Sequence, residues 1–250
     1  PMFLIVLVWG SRSRKVRAAY YLFYYTLCGS VLILFCILYL YSAEGSTHPH
    51  HVGSYGFHPT EQAVLWGALF IGLGVKVPVI PFHIWLPEAH VEAPTGGSVM
   101  LAGLLLKLGG YGFVRFVIPM FVKTSFYFAP LVLAVGGLSV VYSSFTTLRQ
   151  TDLKKIIAYS SVAHMGYVTA GIFSLTEEGM KGAVFQMISH GVVSSALFLS
   201  IGILYEQTKS RQINDYSFLV KSMPIFSLFF VIIVLSSVGL PSTSGFIGEL

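Results

Sequence analysis

The stretch "KVPVIPFHIWLPEAHVEAPTGGSVMLAGLLLKLGGYG" (residues 76–112) interrupts apolar sequence in two different ways. Pro78, Pro81 and Pro87 fall where the apolar run 61–77 would otherwise continue as helix. Proline removes a backbone donor and clashes with the preceding turn, so the helix breaks there. Lys107 then stands nine residues inside the next apolar run, 98–118. At 1.5 Å per residue that is about 14 Å deep. The hydrocarbon core of a bilayer is about 30 Å thick, so the lysine sits near its middle.

The rest of the chain supports a membrane reading. Of 250 residues, 55% are hydrophobic and 10% are charged, and the mean hydropathy is +0.77. Soluble domains carry about 25% charged residues, so this chain cannot solvate a globular surface. A helix end at 1–9 is followed by spans at 18–42, 61–77, 98–118, 129–148, 154–174 and 179–205. The last apolar segment, 223–250, is interrupted at "SSVGLPSTSGFIGEL" (236–250) by Gly239 and Pro241. Tyr20, Tyr21, Tyr24 and Tyr25 at one end of the first full span, and Tyr39 and Tyr41 at the other, fit aromatic belts at two interfaces. The fold class is therefore all-α, a multi-helix transmembrane bundle with two discontinuous helices.

Broken helices at corresponding positions of two halves mark transport sites, because such backbone is tolerated only inside protein or beside water. An ordinary proline kink is the other reading of each break.

The formal net charge of +5 reads as a topology signal and gives no reason to invoke nucleic acid. Arg12, Arg14, Lys15, Arg17, Arg149, Lys154, Lys155, Lys209, Arg211 and Lys221 fall on one side of the assigned spans. Lys123 and Lys181 fall on the other. The richer side is assigned to the cytoplasm or matrix. The opposite loop 43–60 holds His48, His50, His51 and His58, a weak metal pattern better read as a solvated loop.

Cys28 and Cys36 lie eight residues apart in one helix, about 12 Å, which is too far for a disulfide. Both are expected to be buried free thiols. Residue 1 is proline, and both ends fall inside apolar segments, so a truncated or split gene product is expected.

His164 and His190 reach depths similar to that of Lys107. A lysine at mid-membrane costs at least about 2.5–3.5 kcal/mol, so a protein-facing or water-facing site is expected. Gly103, Lys107, Gly110 and Tyr111 share a helix face. Gln186, His190 and Ser194 form a polar stripe, and Ser160, His164 and Tyr167 form another. Lys76 precedes the first break and Glu249 follows the second, where a charge can meet a helix end and water. A satisfied structural histidine, or a lysine reaching for the interface, is the competing reading of each residue alone. His83, Glu88, His90 and Glu92 lie in the crossover after the first break, read as hydrogen-bonded structure with metal as the minor alternative; His83 and Glu92 are secondary candidates for the path.

Four motifs in order carry a family resemblance. They are the opening stretch, "DLKKIIAYSSVAHMGYV" (152–168), "MISHGVVSSALFLSIGILYEQ" (187–207) and "GLPSTSGFIGEL" (239–250). Together they resemble the NADH dehydrogenase subunit 4 family, which includes the M-type bacterial chains.

The resemblance implies an antiporter-like bundle of inverted repeats, with 1–128 ending the first and 129–250 forming most of the second. It implies a proton relay along Lys76, Lys107, His164, His190 and Glu249, driven by NADH-to-quinone electron transfer. It implies no cofactor or metal in this chain, with NADH, FMN, iron–sulfur clusters and ubiquinone bound by other subunits. The implied partners are membrane lipid and the other membrane-arm subunits, including sister antiporter-like chains. The implied location is the mitochondrial inner membrane, or alternatively a bacterial plasma membrane. In the family the first lysine pairs with a glutamate on the preceding helix, which falls before residue 1 here. A multi-chain Na+/H+ antiporter subunit and a non-pumping membrane spacer are the competing functions.

Overall fold

The computed structural model describes residues 1–45, 57–216 and 219–250, so His48, His50 and His51 lie outside the described residues. The helices in chain order are α1 (Met2–Trp9), α2 (Lys15–Glu44), α3 (Pro59–Lys76), α4 (Trp85–Glu92), α5 (Thr95–Met120), α6 (Val122–Leu148), α7 (Leu153–Phe173), α8 (Glu177–Thr208), α9 (Leu219–Ser222), α10 (Pro224–Val238) and α11 (Ser244–Glu249). Within the described residues there is no strand. Among the described residues, five segments are long and apolar enough to cross a membrane: Lys15–Ala43 and the whole of α5, α6, α7 and α8.

Local chemistry starts and stops these helices. His58 caps α3, and the Glu61 side chain returns to the His58 backbone N–H. Asp152 caps α7 by accepting from the N–H groups of Lys154 and Lys155. Thr176 caps α8 through Gly179 N–H. α10 stops at Gly239, whose φ of 76° is one that glycine adopts without strain.

Between α3 and α4 the backbone leaves helical geometry over residues 77–84, and its polar groups find other partners. Ile80 N–H donates to Ser139 Oγ at 3.2 Å. Trp85 Nε1 donates to Val75 O at 2.9 Å and pins α4 against the end of α3. In apolar surroundings each unmet group would cost energy comparable to a lost hydrogen bond, which is why these contacts fix the break.

α7 lies between α6 and α8, and α8 in turn packs against α5, α10 and α11. The main core joins α3, α5, α6 and α7 through aromatic rings. Trp66 stacks on Phe128 at 4.7 Å, and Phe113 meets Phe173 edge-on at 5.3 Å.

Two expectations are corrected. α6 begins at Val122, not 129, because Pro130 is accommodated inside the helix and the break falls at Phe121. Cys28 is exposed while Cys36 is buried, because α3 covers α2 at Cys36, which faces Leu65 O.

One feature had no sequence signal. α5 carries two π-helical turns, Leu101–Leu105 and Phe113–Val117, on either side of Lys107. A π turn adds a residue and rotates the helix face beyond it by about 100°.

Candidate functional site

Lys107 Nζ lies 2.5 Å from Ala102 O and 2.7 Å from His190 Nδ1. The carbonyl lies five residues back, in the π turn, where the α-helical pattern has been rearranged. The π turn thus gives the ammonium a backbone acceptor, while α8 supplies the imidazole. The two helices come close at this level. A Cβ added at Gly191 would stand 3.2 Å from Gly103 O and 3.4 Å from Lys107 Cε. Small residues are what let the backbones approach.

His190 extends the cluster. Its ring centroid lies 5.4 Å from that of His164 on α7. His164 Nδ1 pairs with Glu249 Oε1, and Gln186 Nε2 donates to the same oxygen at 2.7 Å. Ser189 Oγ donates to Ser244 Oγ at 2.8 Å and ties α8 to α11 beside them. Lys107, His190, His164 and Glu249, from four helices, therefore form one row, hydrogen-bonded at both ends and in ring contact at its middle. Next to it is a cavity of about 20 Å³ lined by Ser160, Ser161, Gln186, Ser189, Ser194 and both histidines. That is room for about one water. Two buried atoms there, His190 Nε2 and Gln186 Oε1, have no hydrogen-bond partner among the described residues and suit such a water.

Lys76 stands apart from this row. It is the last residue of α3, half-buried, beside Phe3, Leu22 and Trp85. A cation at a helix C-terminus is favourably placed against the macrodipole. Its ammonium forms no ion pair among the described residues.

His83 is buried against Tyr142, with ring centroids 5.5 Å apart. Glu92 is buried near the Arg12 and Arg211 charges, and burial raises its carboxyl above the usual range. Of the two stripes expected on α8 and α7, Gln186, His190 and Ser194 are all buried, whereas Tyr167 is exposed. On α5, Gly103, Lys107 and Tyr111 line one groove facing α8.

Three side chains carry more of the geometry than their sequence positions suggest. His90 is fully buried, stacked on Phe198 at 4.5 Å, with neither ring nitrogen hydrogen-bonded among the described residues. Lys154 and Arg211, counted above as topology charges, are 2% and 1% exposed. Lys154 Nζ donates to Ala93 O at 2.8 Å, and Arg211 donates to Val91 O and, at 2.6 Å, to Ser11 Oγ. Charge near a span end gave no sign that these two would point inward.

The fold and the row together define a class: a polytopic helical membrane protein with titratable side chains joined across its interior. The chain belongs to the NADH:quinone oxidoreductase/Mrp antiporter transmembrane family, whose model matches residues 1–250. It is 55% identical over 250 residues to NADH-ubiquinone oxidoreductase chain 4 of Chondrus crispus, covering 100% of this chain and 51% of that protein. It superposes on a chain of respiratory complex I from Thermus thermophilus with a TM-score of 0.93 and 32% identity, covering 100% of this chain and 54% of that one. A chain of the Mrp complex from Dietzia sp. shares the fold, with a TM-score of 0.91, 23% identity, and 99% and 47% coverage. The chain thus spans about half the length of the relatives it matches. The antiporter-like bundle expected from the motifs is the fold observed.

Proposed function

We propose that this chain is a section of a membrane-arm subunit of NADH:ubiquinone oxidoreductase, and that it relays protons while other subunits carry electrons. The observation that carries this reading is the row Lys107–His190–His164–Glu249. Four titratable groups on four helices are costly to place in hydrocarbon, so they face one another and mark a path for protons or ions. The Lys107–His190 and His164–Glu249 contacts each join a proton donor to an acceptor, and the two imidazoles between them lie 5.4 Å apart beside a cavity with room for about one water, so a proton can pass along the row without a bare charge entering lipid.

Lys76 is proposed to feed this row from the first interrupted span, α3–α4, as Glu249 ends it at the second, α10–α11. One interrupted span then falls in each inverted repeat, with 1–128 ending the first repeat and 129–250 forming most of the second. His83 and Glu92 are secondary members of the path. The redox groups, FMN, iron–sulfur clusters, NADH and ubiquinone, belong to other subunits, and this chain binds neither cofactor nor metal. Sister antiporter-like chains and lipid surround it. The proposed location is the mitochondrial inner membrane, supported by the 55% identity to a ubiquinone-linked chain; a bacterial plasma membrane is the alternative.

The test is Lys107→Ala in the intact complex. Assembly is expected to be normal, with loss of proton pumping coupled to NADH oxidation. Full pumping by the assembled variant would show the relay role to be wrong. The shared fold with the Mrp chain supports a second reading, a Na+/H+ antiporter subunit. Sodium-dependent transport with no NADH-linked activity would establish that reading instead.

A further inference from the structure

α4 ends at Glu92, and a helix end leaves its last carbonyls without intrahelical partners. Two of them are met by buried cations from far along the chain. Arg211, three residues beyond the end of α8, donates to Val91 O. Lys154, in the first turn of α7, donates to Ala93 O at 2.8 Å. Pro94 and Thr95 follow at once, and Thr95 opens α5, the helix of Lys107.

The three helices that carry Lys107, His164 and His190 are thereby joined at a single point on their cation-rich side. Three further contacts stiffen it. The Arg211 guanidinium lies 4.6 Å from the Tyr205 ring on α8, and its other arm reaches Ser11 Oγ at 2.6 Å. Leu153 N–H donates to Arg211 O at 3.0 Å, which binds the two cation-bearing segments to each other.

We infer that Arg211, together with Lys154, is a positioning residue that sets the Lys107–His190 contact by fastening the start of α5 to α7 and α8. This inference rests on the relay reading above. The reason is geometric. α5 is interrupted by a π turn before Lys107, so its face toward α8 is not fixed by α-helical spacing alone and depends on how the helix enters. Arginine suits the task, since its rigid fork can hold two acceptors in different directions. Both guanidinium contacts span long separations in sequence, 120 residues to Val91 and 200 to Ser11.

The charged and titratable groups around the pair are His164 on α7, His90 on α4 and, through His164, Glu249 on α11.

The test uses the intact complex in membranes with Arg211→Ala, Arg211→Lys, Ser11→Ala and Lys107→Ala measured in parallel. Pumping is expressed per assembled complex. Arg211→Ala is expected to lower coupled turnover by roughly tenfold, the scale of a small misplacement of reacting groups. It is also expected to move the pH of half-maximal turnover, which a loss of folded protein does not do. Arg211→Lys keeps one arm and is expected to restore part of both.

If Arg211→Ala fails to assemble, Arg211→Lys and Ser11→Ala give the same two readings with milder changes. Wild-type turnover and pH profile in the assembled Arg211 and Ser11 variants, alongside a damaged Lys107→Ala, would overturn the positioning inference and leave the relay standing. Undamaged pumping in Lys107→Ala would overturn the relay itself.

Discussion

Lys107 Nζ and His190 Nδ1 lie 2.7 Å apart although 83 residues separate them in the chain. Neither has any other side-chain hydrogen-bond partner among the described residues. The contact makes each group's proton depend on the other. A lysine and a neutral imidazole in this arrangement share a donor and an acceptor, whereas two cations would repel.

Removing the imidazole isolates the lysine. His190→Ala is expected to leave Lys107 with only Ala102 O and to cut coupled proton pumping by at least about tenfold. The measurement is pumping per NADH oxidised in membranes with matched amounts of assembled complex. Unchanged pumping would remove His190 from the path.

At the far end of the row, Glu249 accepts from His164 and from Gln186. Glu249→Gln keeps the shape and loses the charge. Coupled turnover is expected to fall by about 10²-fold or less, with assembly retained, because proton transfer by one positioned group contributes on that scale. Glu249→Asp, which keeps the charge on a shorter arm, is expected to be milder. Equal damage in both variants would favour a packing role over a proton-carrying one.

The approach of α5 to α8 can be tested without replacing a titratable group. A methyl at Gly191 meets Gly103 O at 3.2 Å, and a backbone atom cannot swing aside. Gly191→Ala is expected to push the helices apart by a few tenths of an ångström and lower coupled turnover several-fold. Gly191→Val is expected to destabilise assembly by about 1–3 kcal/mol, as overpacking does. Native-gel yield and pumping read the two effects separately.

Glu92 gives a stability prediction with a definite sign. Burial raises its carboxyl in the folded chain, and Arg12 and Arg211 offset only part of that. The folded form therefore holds this proton to higher pH than the unfolded form does. Its contribution is fully present below the unfolded value and is lost as pH rises through the raised folded value. Glu92→Gln is expected to flatten this fall. Thermal unfolding of the detergent-extracted complex from about pH 4 to pH 7 measures it, and a parallel pair of wild-type and variant curves would contradict the assignment.

Much of the site was legible in the residues themselves. Lys107, His164 and His190 were placed near mid-membrane from run length and rise per residue, both local quantities. Gln186 and Ser194 were read onto the His190 face from helical spacing, and both are buried there. The same local reasoning failed where direction mattered. Cys28 was expected inside and faces out, because the 3.6-residue period says which residues share a face but not what covers it. Arg211 and Lys154 count in the sequence only as topology charges, since nothing nearby in sequence names the carbonyls of Val91 and Ala93 as their acceptors.

The sequence by itself determined that this chain is a bundle of membrane-length helices, where Pro78 and Gly239 interrupt it, and how far along its own helix each titratable group stands. Those follow from apolar run length, backbone chemistry and a fixed helical rise. Only the tertiary structure decided the pairings: Lys107 with His190, His164 with Glu249, and Lys76 apart from both. It also decided the turn of α5 around Lys107, because a π turn forms where packing supplies the partner and not where residue preference demands it. Depth is a local property of one helix, whereas contact is a property of two.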